Sequence, residues 1–111
     1  MNLKCLLKLY VDNLKKIYGN NLLKVSLFGS YARGENNIDS DIDILVIVQG
    51  SQKEVSLYNR ELCHMTFEFN LNHDVDIQVV DMCSEYYYRW CKGDRFLLNV
   101  ADDEVRLYEA A

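Results

Sequence analysis

The sequence predicts an α/β or α+β domain in which helices flank a small mixed β-sheet. Its 111 residues allow one domain and little else, so residues 1–111 are expected to form a single unit. Stretches with helical periodicity alternate with short strand-like stretches along the whole chain. The sequence contains no proline and no serine-rich run that would mark a linker.

Apolar residues recur at helical spacing near the start of the chain and again in its middle. The first set, which Gly19 and Asn20 bring to a stop, consists of Leu3, Leu6, Leu7, Tyr10, Leu14 and Ile17. The second set consists of Val55, Tyr58, Leu62, Met65 and Phe69. A third helical segment is expected from Ser84 to about Val100, with an interruption near Gly93. A short helical turn is also expected after Gly29.

Four short stretches have the composition and periodicity of β-strands. They are residues 22–28, 41–48, 74–80 and 105–108. The second begins with polar and apolar residues in alternation and then becomes wholly apolar, which is typical of an interior strand. The third alternates with a period of two throughout.

The composition excludes several classes of protein. Asp and Glu number 17 against 12 Lys and Arg, a net charge of −5, whereas a direct nucleic-acid partner would require a basic face. A metal ion or a metal-bound nucleotide is compatible with this balance. No apolar run approaches the roughly 18 residues of a membrane span. Because Lys4 and Lys8 interrupt the apolar start, no signal peptide is indicated, and a cytoplasmic protein with reduced thiols is expected.

Gly29 and Ser30 directly follow the first predicted strand. A glycine permits close approach of the backbone to a phosphate, and a serine at the start of a helix offers a hydroxyl beside unpaired N–H groups. Taken alone, however, Gly-Ser before a helix is more often a simple N-cap than a phosphate site.

Asp41 and Asp43 lie two residues apart in the second strand, so both carboxylates are expected on one face, roughly 6.6 Å apart along the chain. Like charges this close to an apolar strand repel, and a divalent cation reverses the sign of that interaction. Oxygen ligands suit Mg²⁺. The spacing alone is equally compatible with a solvated entrance to the strand.

A third carboxylate is available at the start of the next strand. Asp74 and Asp76 alternate there with Val75 and Ile77, and one of them joins the pair if the two strands are neighbours. Asp76 is favoured because it is expected to lie deeper in the strand, with Asp74 as the other candidate. Three carboxylates beside a phosphate-binding turn are typical of metal-dependent phosphoryl or nucleotidyl transfer.

These residues carry a family resemblance. Gly29-Ser30, ten intervening residues and Asp41-x-Asp43 resemble the G-S-x10-D-x-D signature of the polymerase-β-like nucleotidyltransferases. More narrowly, GSYARG followed by SDIDILV is similar to the minimal nucleotidyltransferase (MNT) domains, which are encoded beside HEPN proteins and form toxin–antitoxin pairs with them. The resemblance covers nearly the whole chain. Larger relatives carry a helical substrate domain for which 111 residues leave no room, so a partner is expected to supply or complete the substrate.

The resemblance implies a protein adenylyltransferase that uses ATP and two Mg²⁺ ions. Gly29 and Ser30 would hold the β- or γ-phosphate, and Asp41 and Asp43 would coordinate the metal. Asp76 would complete the metal site and help to deprotonate the incoming hydroxyl. The implied acceptor is a tyrosine of a HEPN ribonuclease toxin, which the added AMP would inactivate within a hetero-oligomeric complex.

Two further features remain open at the level of sequence. Arg33 is either a ligand that neutralises the leaving pyrophosphate or an ordinary surface arginine at the end of a helical turn. The aromatic run from Tyr86 to Trp90 is expected to pack in the core or against a partner, with adenine stacking as the other interpretation.

Other functions also remain possible for such a domain. An antitoxin that neutralises its toxin by binding alone would not need the nucleotide site. A nucleotidyltransferase that modifies a small molecule such as an aminoglycoside would need a second domain, or a dimer that builds the pocket. The complete set of Ser30, Asp41, Asp43 and Asp76 favours the enzyme over the binding antitoxin.

Overall fold

The computed structural model describes residues 2–110, which form six α-helices, a 3₁₀ turn and four strands. The helices are α1 (Leu3–Tyr18), α2 (Gly29–Arg33), α3 (Gln52–Ser56), α4 (Asn59–His73), α5 (Ser84–Trp90) and α6 (Arg95–Asp103). The strands are β1 (Leu22–Phe28), β2 (Ile42–Val48), β3 (Ile77–Cys83) and β4 (Val105–Glu109), and the 3₁₀ turn is Gly19–Asn21. None of the helices within residues 2–110 is long and apolar enough to cross a lipid bilayer.

The strands form one sheet in the order β3-β2-β1-β4. β1 is antiparallel to β2 and to β4, whereas β2 and β3 are parallel, so the predicted mixed sheet with flanking helices is confirmed. The register pairs Ile42 with Ile77 and Phe28 with Asp43. The end of β1 and the beginnings of β2 and β3 therefore meet at one edge of the sheet.

Helices cover both faces of the sheet. The larger core cluster joins α1 and α4 to inward-facing strand residues such as Val25, Leu27 and Ile44. The smaller cluster places Leu45 and Ile47 of β2 against Leu97 and Val100 of α6. Because side chains alternate along a strand, Phe28 and Asp43 lie on the face of this smaller cluster.

Most predicted elements are present, and two differ from expectation. α1 ends at Tyr18, as predicted, where Gly19 adopts a positive φ of 57°. The helical segment after Ser84 is interrupted between Trp90 and Arg95, also as predicted. The single helix expected around Val55–Phe69 is instead two helices, because α3 ends at Ser56 and a turn precedes α4.

The predicted bounds of the third strand are wrong by three residues at each end. α4 continues to His73, and Asp74 follows it in the left-handed conformation with φ 52°. The strand itself is Ile77–Cys83 rather than residues 74–80. Both Asp74 and Asp76 consequently precede the strand, so depth within it is not what distinguishes them.

Candidate functional site

Gly29 occupies the sharp turn between β1 and α2. Its φ is +74°, a conformation that residues with a Cβ rarely adopt. A Cβ at this position would also clash with the carboxylate of Asp43 on the adjacent strand. The backbone conformation and the Asp43 carboxylate therefore each require glycine here. The backbone of the turn lies directly against an acidic side chain.

Ser30 follows in the first turn of α2 and is partly exposed. N–H groups in the first turn of a helix have no partner within the helix and favour an anion. Gly34 caps the carboxyl end of α2, where its N–H donates to the carbonyls of Ser30 and Tyr31. The predicted Gly29–Ser30 turn thus lies at the same edge of the sheet as the predicted carboxylates.

Asp41 and Asp76 face each other across the start of the parallel strand pair. Asp41 directly precedes Ile42 and Asp76 directly precedes Ile77, and these two isoleucines are paired between β2 and β3. The Ile42 N–H donates to the Asp76 carbonyl at 2.9 Å. A hydrogen bond between the two carboxyl groups, and secondarily the charge of Asp76, raises the pKa of Asp41 above its ordinary value. The two side chains therefore lie close together at the start of the parallel strand pair.

Asp43 lies one step further into β2 and is partly buried. Burial raises the pKa of this carboxyl group, while the positive charge of Arg33 acts in the opposite direction. Its carboxylate contacts Gly29, so this acid lies nearest the turn, whereas Asp41 and Asp76 form the closer pair.

The structure distinguishes between the two candidates for the third acid. Asp76 contacts Asp41, and its Oδ1 accepts a hydrogen bond of 2.8 Å from the Gln78 Nε2. Asp74 instead caps the end of α4 and lines a pocket of about 360 Å³, together with Tyr31 and Ile38. This pocket also includes Asp76, so it opens beside the acidic pair.

Arg33 is held at the end of α2 by two acids. Its Nη1 donates to Asp103 Oδ2 at 2.7 Å, and its Nε donates to Glu35 Oε2 at 3.1 Å. The side chain is 41% exposed. The guanidinium group is therefore a surface group in ion pairs, and it lies near enough to Asp43 to affect the pKa of that acid.

Sequence patterns miss Gln78, Asn70 and Asp103, each of which contacts a candidate residue or the segment that carries it. Asn70 Oδ1 accepts from the Ile77 N–H at 2.9 Å, and Asn70 Nδ2 donates to the Ile77 carbonyl at 3.3 Å. Only Gln78 could have been found from the sequence, since strand alternation places it on the same face as Asp76.

The aromatic run on α5 lies at the surface. Tyr88 and Trp90 are 67% and 47% exposed, and Tyr86 donates to Asp94 through its hydroxyl. Tyr87 alone packs against the smaller core cluster. Of the interpretations left open by the sequence, packing in the core therefore applies to Tyr87 only.

The oxygen atoms at this edge of the sheet suit Mg²⁺ in company with a nucleotide. Within residues 2–110, no group of three or more histidine, cysteine or acidic side chains is arranged to hold a metal ion by itself. Mg²⁺ commonly keeps several waters and is bound by one or two carboxylates together with substrate phosphates. The paired carboxylates of Asp41 and Asp76, next to the Gly29–Ser30 turn, fit that mode of binding.

Solved structures of low sequence identity share this fold. A predicted nucleotidyltransferase from Sulfolobus solfataricus superposes with a TM-score of 0.56 and 22% identity, over 95% of this chain and 81% of that one. A chain from the complex of tri-AMPylated Shewanella oneidensis HEPN toxin with MNT antitoxin gives 0.54 and 20% identity, over 97% and 74%. A toxin–antitoxin structure with AMP-PNP gives 0.57 and 18% identity, over 98% and 75%.

Sequence comparison identifies three relatives in Methanocaldococcus jannaschii, all predicted protein adenylyltransferases. MJ0604 is 47% identical over 47 residues, which is 42% of this chain, and MJ1305 is 31% identical over 71 residues, which is 64% of it. The matched stretches span about half of those two relatives, 47% and 48% of their lengths. MJ0141 is 27% identical over 75 residues, 68% of this chain and 74% of that protein. The family model for the nucleotidyltransferase domain matches residues 7–103, and the chain therefore belongs to the nucleotidyltransferase domain family.

Proposed function

We propose that this protein transfers AMP from ATP to a hydroxyl group of a partner HEPN-type toxin and thereby acts as its antitoxin. The observation that carries the proposal is the contact between the carboxyl groups of Asp41 and Asp76 beside the Gly29–Ser30 turn. A contact between two acids is unfavourable when both are ionised, and a bound cation removes that cost. The close placement of the two acids is therefore expected in a protein that binds a metal–nucleotide complex.

Each candidate residue has a role that its position supports. Gly29 admits the Asp43 carboxylate against the backbone of the turn, and Ser30 in that turn offers a hydroxyl and first-turn N–H groups to a phosphate. Asp41, Asp43 and Asp76 would hold Mg²⁺ together with the phosphates of the nucleotide, and the bound ion would supply charge neutralisation on the triphosphate. Arg33 is available to the pyrophosphate if it exchanges Asp103 for that ligand, since an arginine can bind phosphate through two N–H groups.

The proposed reaction is a single displacement at phosphorus. The acceptor oxygen forms a bond to the α-phosphorus of ATP, the bond from that phosphorus to the bridging oxygen breaks, and pyrophosphate leaves. The hydroxyl proton passes to a carboxylate, for which Asp76 is the candidate because Gln78 orients it by a hydrogen bond of 2.8 Å.

The nature of the acceptor is inferred from the relatives. The three M. jannaschii relatives are predicted to act on proteins, and one structure of the same fold holds an AMPylated HEPN toxin with its MNT antitoxin. The chain spans only about half of two of those relatives, so its acceptor is a proposal rather than a property carried over from them. A tyrosine hydroxyl is the proposed acceptor.

Intact-mass spectrometry of the partner tests the proposal. The proposed HEPN-type partner is incubated with the chain, ATP and Mg²⁺, and its mass is expected to rise by one or more AMP units. Asp41→Asn should abolish the gain, because it removes half of the acidic pair. Asp102→Asn, which alters an exposed acid on α6, is the matched control and should leave the gain intact.

Other outcomes would point elsewhere. A stable complex without any gain in mass, together with neutralisation by the Asp41→Asn variant, would establish an antitoxin that acts by binding. AMP transfer to an aminoglycoside but not to the protein would establish a small-molecule enzyme. Either result would refute protein adenylylation as the function.

A further inference from the structure

An apolar groove of about 740 Å³ lies between α1 and the edge strand β4. One wall is a stripe on α1 formed by Leu3, Leu7 and Val11, which recur every four residues and share one side of that helix. The opposite wall is formed by Val105, Leu107 and Tyr108 of β4. We refer to this cleft as the α1–β4 groove.

The α1–β4 groove contains apolar side chains that the fold itself leaves incompletely covered. Val105 is 44% exposed, and Leu3, Leu107 and Tyr108 are only partly buried although they pack against the larger core cluster. Among residues 2–110, β4 is an edge strand and no further strand covers this wall. Another apolar surface laid into the groove would complete its burial, which is the main source of affinity in helix–groove recognition.

Positive charge lines the groove in a chain that is acidic overall. Lys4, Lys8 and Lys15 lie along α1 at its rim, against a single acid, Asp12. None of these lysines has an ion-pair partner among residues 2–110, and Lys15 is instead placed over the Tyr108 ring at 4.7 Å. The fourth cation at the rim, Arg106, is already paired with Glu109 at 3.0 Å. The lysines are thus available to acidic groups from outside.

We propose that the α1–β4 groove binds an acidic amphipathic helix of the partner protein. The lysines from position 4 to position 15 extend roughly 16 Å along the axis of α1, or about three helical turns. Leu7 and Val11 form the buried floor of the groove. A helix laid beside α1 can therefore set an apolar stripe against the partly exposed Leu3, Leu107 and Tyr108, while flanking Glu or Asp residues meet the lysines.

A second copy of this chain is a poor occupant of the groove. A two-fold dimer through this surface would place the groove of one copy against the groove of the other. That arrangement opposes the lysines of α1 to one another and gains no complementary charge. An acidic partner does not carry this cost.

The groove and the Asp43 carboxylate are on different faces of the sheet. Leu27 lines the groove and belongs to the larger core cluster, whereas Phe28 and Asp43 belong to the opposite face. A helix bound in the groove therefore leaves the Asp43 carboxylate uncovered. The inference rests on the proposed function for its protein partner, and it adds a docking surface that is separate from the site of transfer.

Binding of a designed peptide tests the inference. The probe is a fluorescein-labelled helical peptide of about four turns with a leucine stripe flanked by glutamates, and its companion carries lysine at each glutamate. Fluorescence anisotropy with the full chain is measured in about 50 mM salt, where screening is weak. The acidic peptide is expected to bind saturably, and the basic companion is expected not to bind.

Charge-reversal variants then locate the binding. The double variant Lys8→Glu/Lys15→Glu should weaken binding of the acidic peptide by about tenfold or more. The double variant Lys16→Glu/Lys53→Glu makes the same change in net charge at exposed lysines outside the groove and should bind within about twofold of the parent chain. Circular dichroism of both variants verifies that they are folded.

The result separates docking from catalysis. Asp41→Asn should bind the acidic peptide as the parent does, so docking can be demonstrated even if no AMP transfer occurs. Equal binding of the two peptides, equal weakening by the two double variants, or a dimer in sedimentation that Lys8→Glu/Lys15→Glu abolishes would each overturn the proposed acidic helix.

Discussion

At the scale of single residues, the site depends on how closely two strands approach at Gly29. The φ of +74° and the neighbouring Asp43 carboxylate each exclude a side chain at this position. Gly34, five residues later, has nearly the same φ of +73° but has no atom within 4 Å of where a Cβ would lie. Substitutions at the two glycines therefore distinguish the cost of the left-handed backbone conformation from the cost of displacing the Asp43 carboxylate.

Gly29→Ala is expected to lower both stability and activity. The left-handed conformation costs about 1–2 kcal/mol for a residue with a Cβ, and the new methyl group must also displace the Asp43 carboxylate. Urea denaturation measures the loss in free energy of unfolding. The AMP-transfer assay measures the loss of activity, which should be nearly complete because an acid of the proposed site has moved.

Gly34→Ala is the matched control for this prediction. It carries the same backbone strain, so its free energy of unfolding should also fall by about 1–2 kcal/mol. Its activity should stay near that of the parent chain, since no side chain is displaced. Equal activities of the two variants would contradict the assigned role of Gly29.

Local patterns in the sequence are sufficient to identify Gly29, Asp41 and Asp43 as candidate site residues. A glycine after a strand and two acids spaced two residues apart can each be recognised within a short stretch of chain. Such patterns are insufficient for contacts between distant parts of the chain. Arg33 pairs with Asp103, which is 70 residues away. No local pattern could indicate that this arginine would be engaged by an acid at the end of α6.

At the scale of elements, the junction between α4 and β3 determines where Asp76 lies. The alternating pattern begins at Asp74, and periodicity alone therefore starts the strand there. The structure extends α4 to His73, because the Asp74 and Val75 N–H groups both bond to the carbonyl of Asn70. A choice between extending a helix and starting a strand depends on such hydrogen bonds at the helix end, which hydrophobic periodicity does not reveal. This explains why β1 is predicted with its observed bounds and β3 is not.

Asn70→Ala is expected to loosen this junction. The Asn70 side chain makes both of its hydrogen bonds to the backbone of Ile77, the residue after Asp76. Their loss leaves a partly buried N–H and carbonyl without this partner, at a cost of about 1–3 kcal/mol in free energy of unfolding. AMP transfer should fall as well, because the backbone that carries Asp76 is no longer held in place.

Asn72→Ala removes an equivalent side chain from the exposed side of the same helix and should change neither quantity appreciably. Asn70→Asp provides a second comparison, since it keeps the acceptor for the Ile77 N–H but loses the donor. Its activity should lie between those of the parent and Asn70→Ala. Full activity in Asn70→Ala would show that Asp76 does not depend on this junction.

At the scale of the whole molecule, one polar network joins the sheet to the elements that follow it. Lys24 Nζ on β1 donates to the Tyr87 hydroxyl and to Glu104, each at 3.0 Å. Ser26, which is fully buried, donates to Glu104 Oε2 at 2.8 Å. Glu104 lies between α6 and β4, so this carboxylate connects β1 and α5 to the end of the chain.

Glu104 is expected to make the stability of the fold depend on pH. Burial raises the pKa of its carboxyl group, but the hydrogen bonds from Lys24 and Ser26 outweigh burial, and the net pKa lies below the ordinary value of 4.5. The unfolded chain therefore binds the proton more readily than the folded chain does. The contribution of Glu104 is complete above pH 4.5 and is lost as the pH falls through the lower pKa of the folded state.

Glu104→Gln should consequently lower the free energy of unfolding by about 1–2 kcal/mol at neutral pH, because the charged hydrogen bonds are lost. The difference from the parent chain should shrink below pH 4.5, where the unfolded parent begins to bind the proton, and should vanish below the lower pKa of the folded state. Urea denaturation of both proteins at a series of pH values measures this difference. Glu109→Gln, which alters an ion pair that is about half exposed on both sides, should change stability by less than about 0.5 kcal/mol. A difference for Glu104→Gln that persists unchanged into acid would mean that packing, rather than the charge of Glu104, stabilises the connection between β1 and β4.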